Sequence, residues 1–134
     1  MGLAQILGVS AAGMNVEQAR LQVAASNIAN AHTTAGPNGT LYQPLEVVVR
    51  PAIVDGMALP VVTGVVPTNV EPKRVYEPGH PDADKDGFVR LPGVDPIRSM
   101  MDLMEVSRGY EANLRAFDVT RSLLQRTLDI GSKR

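Results

Sequence analysis

The stretch His80-Pro81-Asp82-Ala83-Asp84-Lys85-Asp86-Gly87 concentrates the groups best suited to chemistry. Three aspartates at alternate positions followed by glycine open an EF-hand calcium loop, in which carboxylates converge on one hard cation and the glycine permits a sharp turn. Counting from Asp82, the seventh position is Phe88, which offers only its carbonyl. The ninth is Arg90, a cation where an acceptor is needed, and the twelfth is Gly93, where a bidentate glutamate should close the loop. Asp95 comes two positions too late, beyond Pro92. Pro78, Pro81, Pro92 and Pro96 also argue against flanking helices, because an interior proline breaks a helix. The stretch reads as an exposed polar loop entering a short strand over Gly87–Leu91. Its aspartates are expected to be solvated turn formers, with no metal or cofactor.

Other chemistry is equally thin. His32 and His80 lie far apart among proline, glycine and threonine, the setting of solvated loop histidines. For Asp82, Asp84 or Asp86 as an acid or base, the sequence offers no nucleophile–base pairing, no apolar pocket signal and no phosphate loop. Catalysis is not expected. The absence of cysteine excludes disulfides, thiolate zinc sites and cysteine nucleophiles. With no tryptophan, two phenylalanines and three tyrosines, there is little to stack on bases, and a net charge of −1 shows no bias toward nucleic acid or anionic membrane. No apolar run approaches the ~20 residues that span a bilayer. The N-terminus lacks the basic start of a secretory signal, so export with a cleaved signal is not expected.

The elements fall into three parts, 1–40, 41–95 and 96–134. From Leu3 to Ala29 there is no proline, and alanine, leucine and glutamine favour helix. Leu7, Met14, Leu21 and Ile28 recur every seventh residue. Ser10, Glu17 and Ala24 beside them are smaller or polar, which leaves a narrow apolar stripe. Asn30 is placed to cap this helix, and "HTTAGPNGT" ends it. The middle part holds every proline except Pro37 and Pro96. There "LEVVVR", "LPVVTGVV", "KRVYE" and "GFVRL" predict four or five short strands, with prolines marking edges and bends.

A second helix is predicted from Asp95 as N-cap and Pro96 at its first position to Ile130, stopped by Gly131. Leu103, Tyr110, Phe117 and Leu124 repeat every seventh residue. Met100, Leu114 and Leu128 suggest a second row, interrupted by Ser107 and Arg121. Glu111 and Arg115 are spaced for an i, i+4 pair on the exposed side, and Gly109 suggests close packing with a neighbour. The expected fold is α+β: two long heptad helices paired as an antiparallel coiled coil, enclosing a small β-rich insert. A helix of about 34 residues is ~50 Å long, and a two-helix hairpin of that length cannot bury both stripes by itself, so completion of the core by copies or similar proteins is expected.

A family resemblance agrees with that reading. Ser26-Asn27-Ile28-Ala29-Asn30-Ala31, followed by Thr33-Thr34, is similar to the asparagine-rich motif ending the first helix of flagellar rod and hook axial proteins. "YEPGHPDADKDGFVRLPGVDPIRSMMDLMEVSRGYEANLRAFDVTRSLLQRTLDI" resembles more narrowly the proximal-rod subunits, with Tyr110, Glu111 and Asn113 in the "SRGYEAN" motif. Gly93 stands where that family usually has asparagine and Gly109 where it usually has alanine, and "YQPLEVVVR" is less basic than the common form.

The resemblance implies a subunit of a hollow helical shaft whose terminal helices form a coiled-coil core and order on assembly. It implies passage through the flagellum-specific export apparatus into a rod crossing the periplasm. Its partners would be other rod subunits, copies of itself and the basal-body base, without nucleic acid or membrane insertion. Leu7, Met14, Leu21, Ile28, Leu103, Tyr110, Phe117 and Leu124 would form the seam. Asn27 and Asn30 have two readings, local capping or pairing with backbone of a neighbouring subunit. The aspartate loop would lie over the helical core, against an adjacent subunit. A different rod subunit and a soluble coiled-coil adaptor are the alternatives.

Overall fold

The computed structural model describes residues 2–134, so Met1 of the expected first part lies outside it. Helix α1 spans Leu3–Ala29 and helix α2 spans Pro96–Ser132. Between them come β1 (Leu45–Val54), β2 (Met57–Pro67), β3 (Lys73–Tyr76) and β4 (Phe88–Leu91). Each helix begins and ends for local reasons. Gln5 Oε1 accepts from Gly2 N at 2.9 Å at the start of α1, satisfying a backbone donor just outside the helix. Asn30 caps its end and returns Nδ2 to Ser26 O at 2.9 Å. Asp95 Oδ1 accepts from Ile97 N at 3.1 Å, with Pro96 opening α2 where a missing N–H costs nothing. Gly131 does not stop α2, which continues through Ser132. It is not among the glycines with positive φ, so it never adopts the left-handed turn by which glycine ends a helix.

The helices run antiparallel. A Cβ built on Gly13 would lie 2.9 Å from Asn113 Nδ2, and one on Gly109 would lie 3.5 Å from Glu17 Cδ. Of these two contacts the tighter is at Gly13. Gly109 has only an ordinary van der Waals neighbour, contrary to its expected role. This register sets Leu3 against the region of residue 123, so the last turns of α2 extend past the start of α1.

Strands β1 and β2 form an antiparallel hairpin through Asp55-Gly56, at φ 49° and 79°. Positive φ at both central residues is the signature of the two-residue turn that suits strand twist. The strands are ten and eleven residues long, longer than expected because they run through Pro51 and Pro60. Those prolines sit opposite each other. With Val54–Met57 and Ala52–Leu59 exchanging ladder bonds, Pro51 and Pro60 occupy the positions whose N–H would point outward. They cost no internal bond and blunt both edges. The register slips between Val48 and Val49, a bulge that bends the ribbon.

The hairpin lies along α1, where Val16 and Leu59 are buried. The shorter β3–β4 pair is antiparallel, and an isolated bridge joins Arg90 to Ala35. A second buried group contains Ala31, Val89, Pro92 and Val94. The fold thus has two small apolar centres beside the helix pair.

Candidate assembly interface

At ~100° per residue, the row of α2 that includes Asn113 and faces α1 is Ser99, Val106, Asn113 and Thr120, alternating with Leu103, Tyr110, Phe117 and Leu124. All eight are buried or half-buried. The second row expected from apolarity is not the one enclosed: Met100 is 51%, Leu114 40% and Leu128 64% exposed. The reason is steric. The helices approach where Gly13 meets Asn113, and small polar side chains permit that approach better than methionine or leucine. Leu128 is exposed because α1 has run out before it. On α1, Ser10 is buried and Glu17 half-buried on the Gly13 face, where Arg20 Nη1 also bonds Glu17 Oε1 at 3.1 Å. Leu7, Met14, Leu21 and Ile28 are each half-buried, on the shoulder of that face. Glu111 and Arg115 are both exposed, and no ion pair joins them among the described residues.

The intramolecular seam therefore alternates small or polar residues with Leu103, Tyr110, Phe117 and Leu124, while further large apolar groups face outward. Ile97, Met101 and Met104 occupy one line on the side of α2 opposite the seam and are 74%, 61% and 57% exposed. Val119, Leu123 and Ile130 are exposed nearer its C-terminus. Glu105, Arg108, Glu111, Arg115 and Asp118 separate these apolar ends.

The asparagines lie where α1 hands the chain to β1. Asn27 behaves as a substitute strand residue: its Oδ1 accepts from Leu45 N at 2.8 Å, and its Nδ2 donates to Leu45 O at 2.9 Å. Tyr42 Oη donates to the same Oδ1 at 2.8 Å and lies 3.1 Å from Ser26 Oγ. Both amide atoms of Asn27 are thus occupied within the chain. Asn30 receives Thr33 Oγ1 at 3.2 Å in addition to its own cap bond. The partner of Asn27, eighteen residues away, left no local spacing signal. The Tyr42-x-x-Leu45 segment acquires meaning only after the helix and strand meet.

The aspartate loop closes on itself and on the segment following α1. Asp84 Oδ1 accepts from Asp86 N and Phe88 N, each at 2.9 Å, and its Oδ2 faces Arg74 Nη2 at 3.2 Å. The Phe88 N–H, joined by Asp86 N–H and Arg74 and opposed by desolvation, holds the Asp84 carboxyl below its usual value. Asp82 accepts from Thr34 Oγ1, and Asp86 is exposed. Gly87 takes φ 82° to turn into β4, with Tyr76 and Pro78 against it. Arg90, the residue that spoiled the calcium reading, donates to Gly36 O at 2.8 Å and Gly39 O at 3.0 Å. The loop consequently lies against residues 34–39, not over the helices. His80 Nδ1 accepts from Asp82 N at 3.0 Å, whereas His32 is exposed. No cluster suited to holding a metal occurs among the described residues, and none of their helices is long and apolar enough to cross a membrane.

Comparison with known proteins matches each end of this architecture to a flagellar basal-body rod family. Residues 7–37 match a family described as "Flagella basal body rod protein". Residues 85–130 match "Flagellar basal body rod FlgEFG protein C-terminal". The flagellar basal-body rod protein FlgC of Salmonella typhimurium is 36% identical over 133 residues, covering 98% of this chain and 99% of that protein. The FlgC protein of Aquifex aeolicus is 35% identical, covering 96% and 97% of the two chains. That of Borreliella burgdorferi is 30% identical over 149 residues, covering 97% and 98%. With relatives of this similarity matched nearly end to end, the chain belongs to the FlgC family of flagellar basal-body rod proteins.

Proposed function

We propose that the chain is a structural subunit of the flagellar basal-body proximal rod, polymerising through its terminal helices with other rod subunits and copies of itself. The assembled shaft transmits torque, and the chain performs no catalysis. Its route is the flagellum-specific export apparatus, without a cleaved signal, into a rod crossing the periplasm above the basal-body base. In this reading, the shoulders formed by Leu7, Met14, Leu21 and Ile28 join the Leu103–Leu124 stripe in the subunit seam.

One observation carries the reading beyond family membership. A compact monomer of 14.3 kDa exposes about 6,800 Å², whereas this chain exposes 9231 Å². The excess of about 2,400 Å² falls within the range of obligate interfaces. It accompanies apolar side chains on the outer face of α2 as well as in the seam, more apolar surface than one helix pair covers.

A deletion of the gene in its host, scored for swimming and for basal-body structure by electron microscopy, tests this function. Stalled basal bodies and lost motility, restored by the intact gene, are expected. Normal swimming with no second gene copy refutes the rod role and favours a coiled-coil adaptor.

A further inference from the structure

Between α1 and the hairpin lies an open cavity of about 360 Å³, lined by Ala12, Asn15 and Ala19 on one side and Leu59, Pro60, Val61 and Val62 on the other. Small helix residues leave it unfilled, although Leu59 at its floor is buried. On the outer face of α2, Ile97, Met101 and Met104 form the complementary feature, a flexible apolar row with nothing packed against it. Methionine suits an irregular groove because its unbranched, polarizable side chain adapts to the available shape.

Resting on the rod reading, we infer that this cavity is the receptor for the Ile97–Met101–Met104 row of a second copy of the chain. Arg50 is paired across the hairpin with cavity-lining Val61, and Glu105 follows Met104. Both are exposed, and neither forms an ion pair among the described residues. Their charges are complementary on the rims of the two surfaces. Donor row and receptor cavity occupy different parts of the molecule, so each docked copy retains one of each free. Such a heterologous contact propagates as an open strand instead of closing as a two-fold dimer.

The chain contains no cysteine, which makes a direct test clean. Cells carrying Val61→Cys with Met104→Cys, or Ala19→Cys with Met101→Cys, as their only gene copy are oxidised after basal-body assembly. Each double variant should yield a non-reducing ladder of dimers and higher multimers, at least tenfold above either single-cysteine variant. Motile cells with intact basal bodies but no ladder from either pair overturn the contact while leaving the rod function standing. Crosslinks only to a different protein also overturn it. Where the cysteine variants block assembly, sedimentation of the purified chain decides: Met104→Arg should retain its circular dichroism but self-associate at least tenfold more weakly. A folded variant that associates like the original refutes the inference, and motility of the deletion strain refutes the rod function itself.

Discussion

Replacing Asn27 by alanine separates its observed intramolecular role from the intersubunit role suggested by its motif. The substitution removes the Leu45 N–H, Leu45 C=O and Tyr42 hydroxyl partners at 2.8–2.9 Å. Each intramolecular hydrogen bond contributes about 0.5–1.5 kcal/mol net, and an orphaned buried partner costs about 1–3 kcal/mol. Leu45 is half-buried, so water recovers part of that loss. The junction should weaken by roughly 2–3 kcal/mol, equivalent to about 30- to 150-fold in its opening equilibrium. Hydrogen exchange in the free chain should report that acceleration at Leu45–Val49, while Val89 in β4 supplies an internal reference. Asn27→Asp should be intermediate because it keeps the acceptor but loses the donor to Leu45 O. Unchanged β1 exchange in a folded Asn27→Ala chain that nevertheless blocks rod assembly would refute the reasoning. Asn27 would then act across subunits.

Gly93→Asn, which restores the residue usual in the resembling family, should destabilise this chain by about 1–3 kcal/mol through overpacking, because a Cβ there would lie 2.5 Å from Glu71 O. Urea denaturation measures the loss. Phe117→Asp should leave the hairpin folded but cost roughly 2–5 kcal/mol at the helix seam and prevent rod assembly; normal rods in electron micrographs would displace Phe117 from the core. The lowered Asp84 pKa favours folding above the unfolded aspartate value, near about 3.9, and that contribution is lost as pH falls through the folded value. Asp84→Asn should therefore flatten the acid limb of a pH-dependent melt. Calcium should not raise the melting temperature of the original chain, since the Asp84 oxygens already serve Asp86, Phe88 and Arg74; a calcium-dependent increase refutes the loop assignment.

Several features were legible because their causes are local. A proline-free run and a capping asparagine delimit α1, while Asp95-Pro96 starts α2. Valine runs locate the strands, and the missing ligands at Arg90 and Gly93 disqualify the calcium pattern. Asp55-Gly56 also carried a hairpin signal in the sequence, though it was not among the expectations. The pairing of helices was legible from the seven-residue repeats, because that spacing returns side chains to nearly the same face.

Tertiary structure decided which face and which partner. Rows three and four residues before Leu103 both flank it, and composition favoured the methionine row. Close approach at Gly13 instead enclosed Ser99, Val106, Asn113 and Thr120. Likewise, Asn27 has ordinary helix-end chemistry until the fold brings Leu45 alongside it, and Gly93 is an ordinary loop residue until Val70 and Glu71 pack against it. Periodicity and caps depend on neighbours a few bonds or one helical turn away, so the sequence determines them. Seam choice and close packing depend on the separation of distant backbones, which exists only in the folded chain.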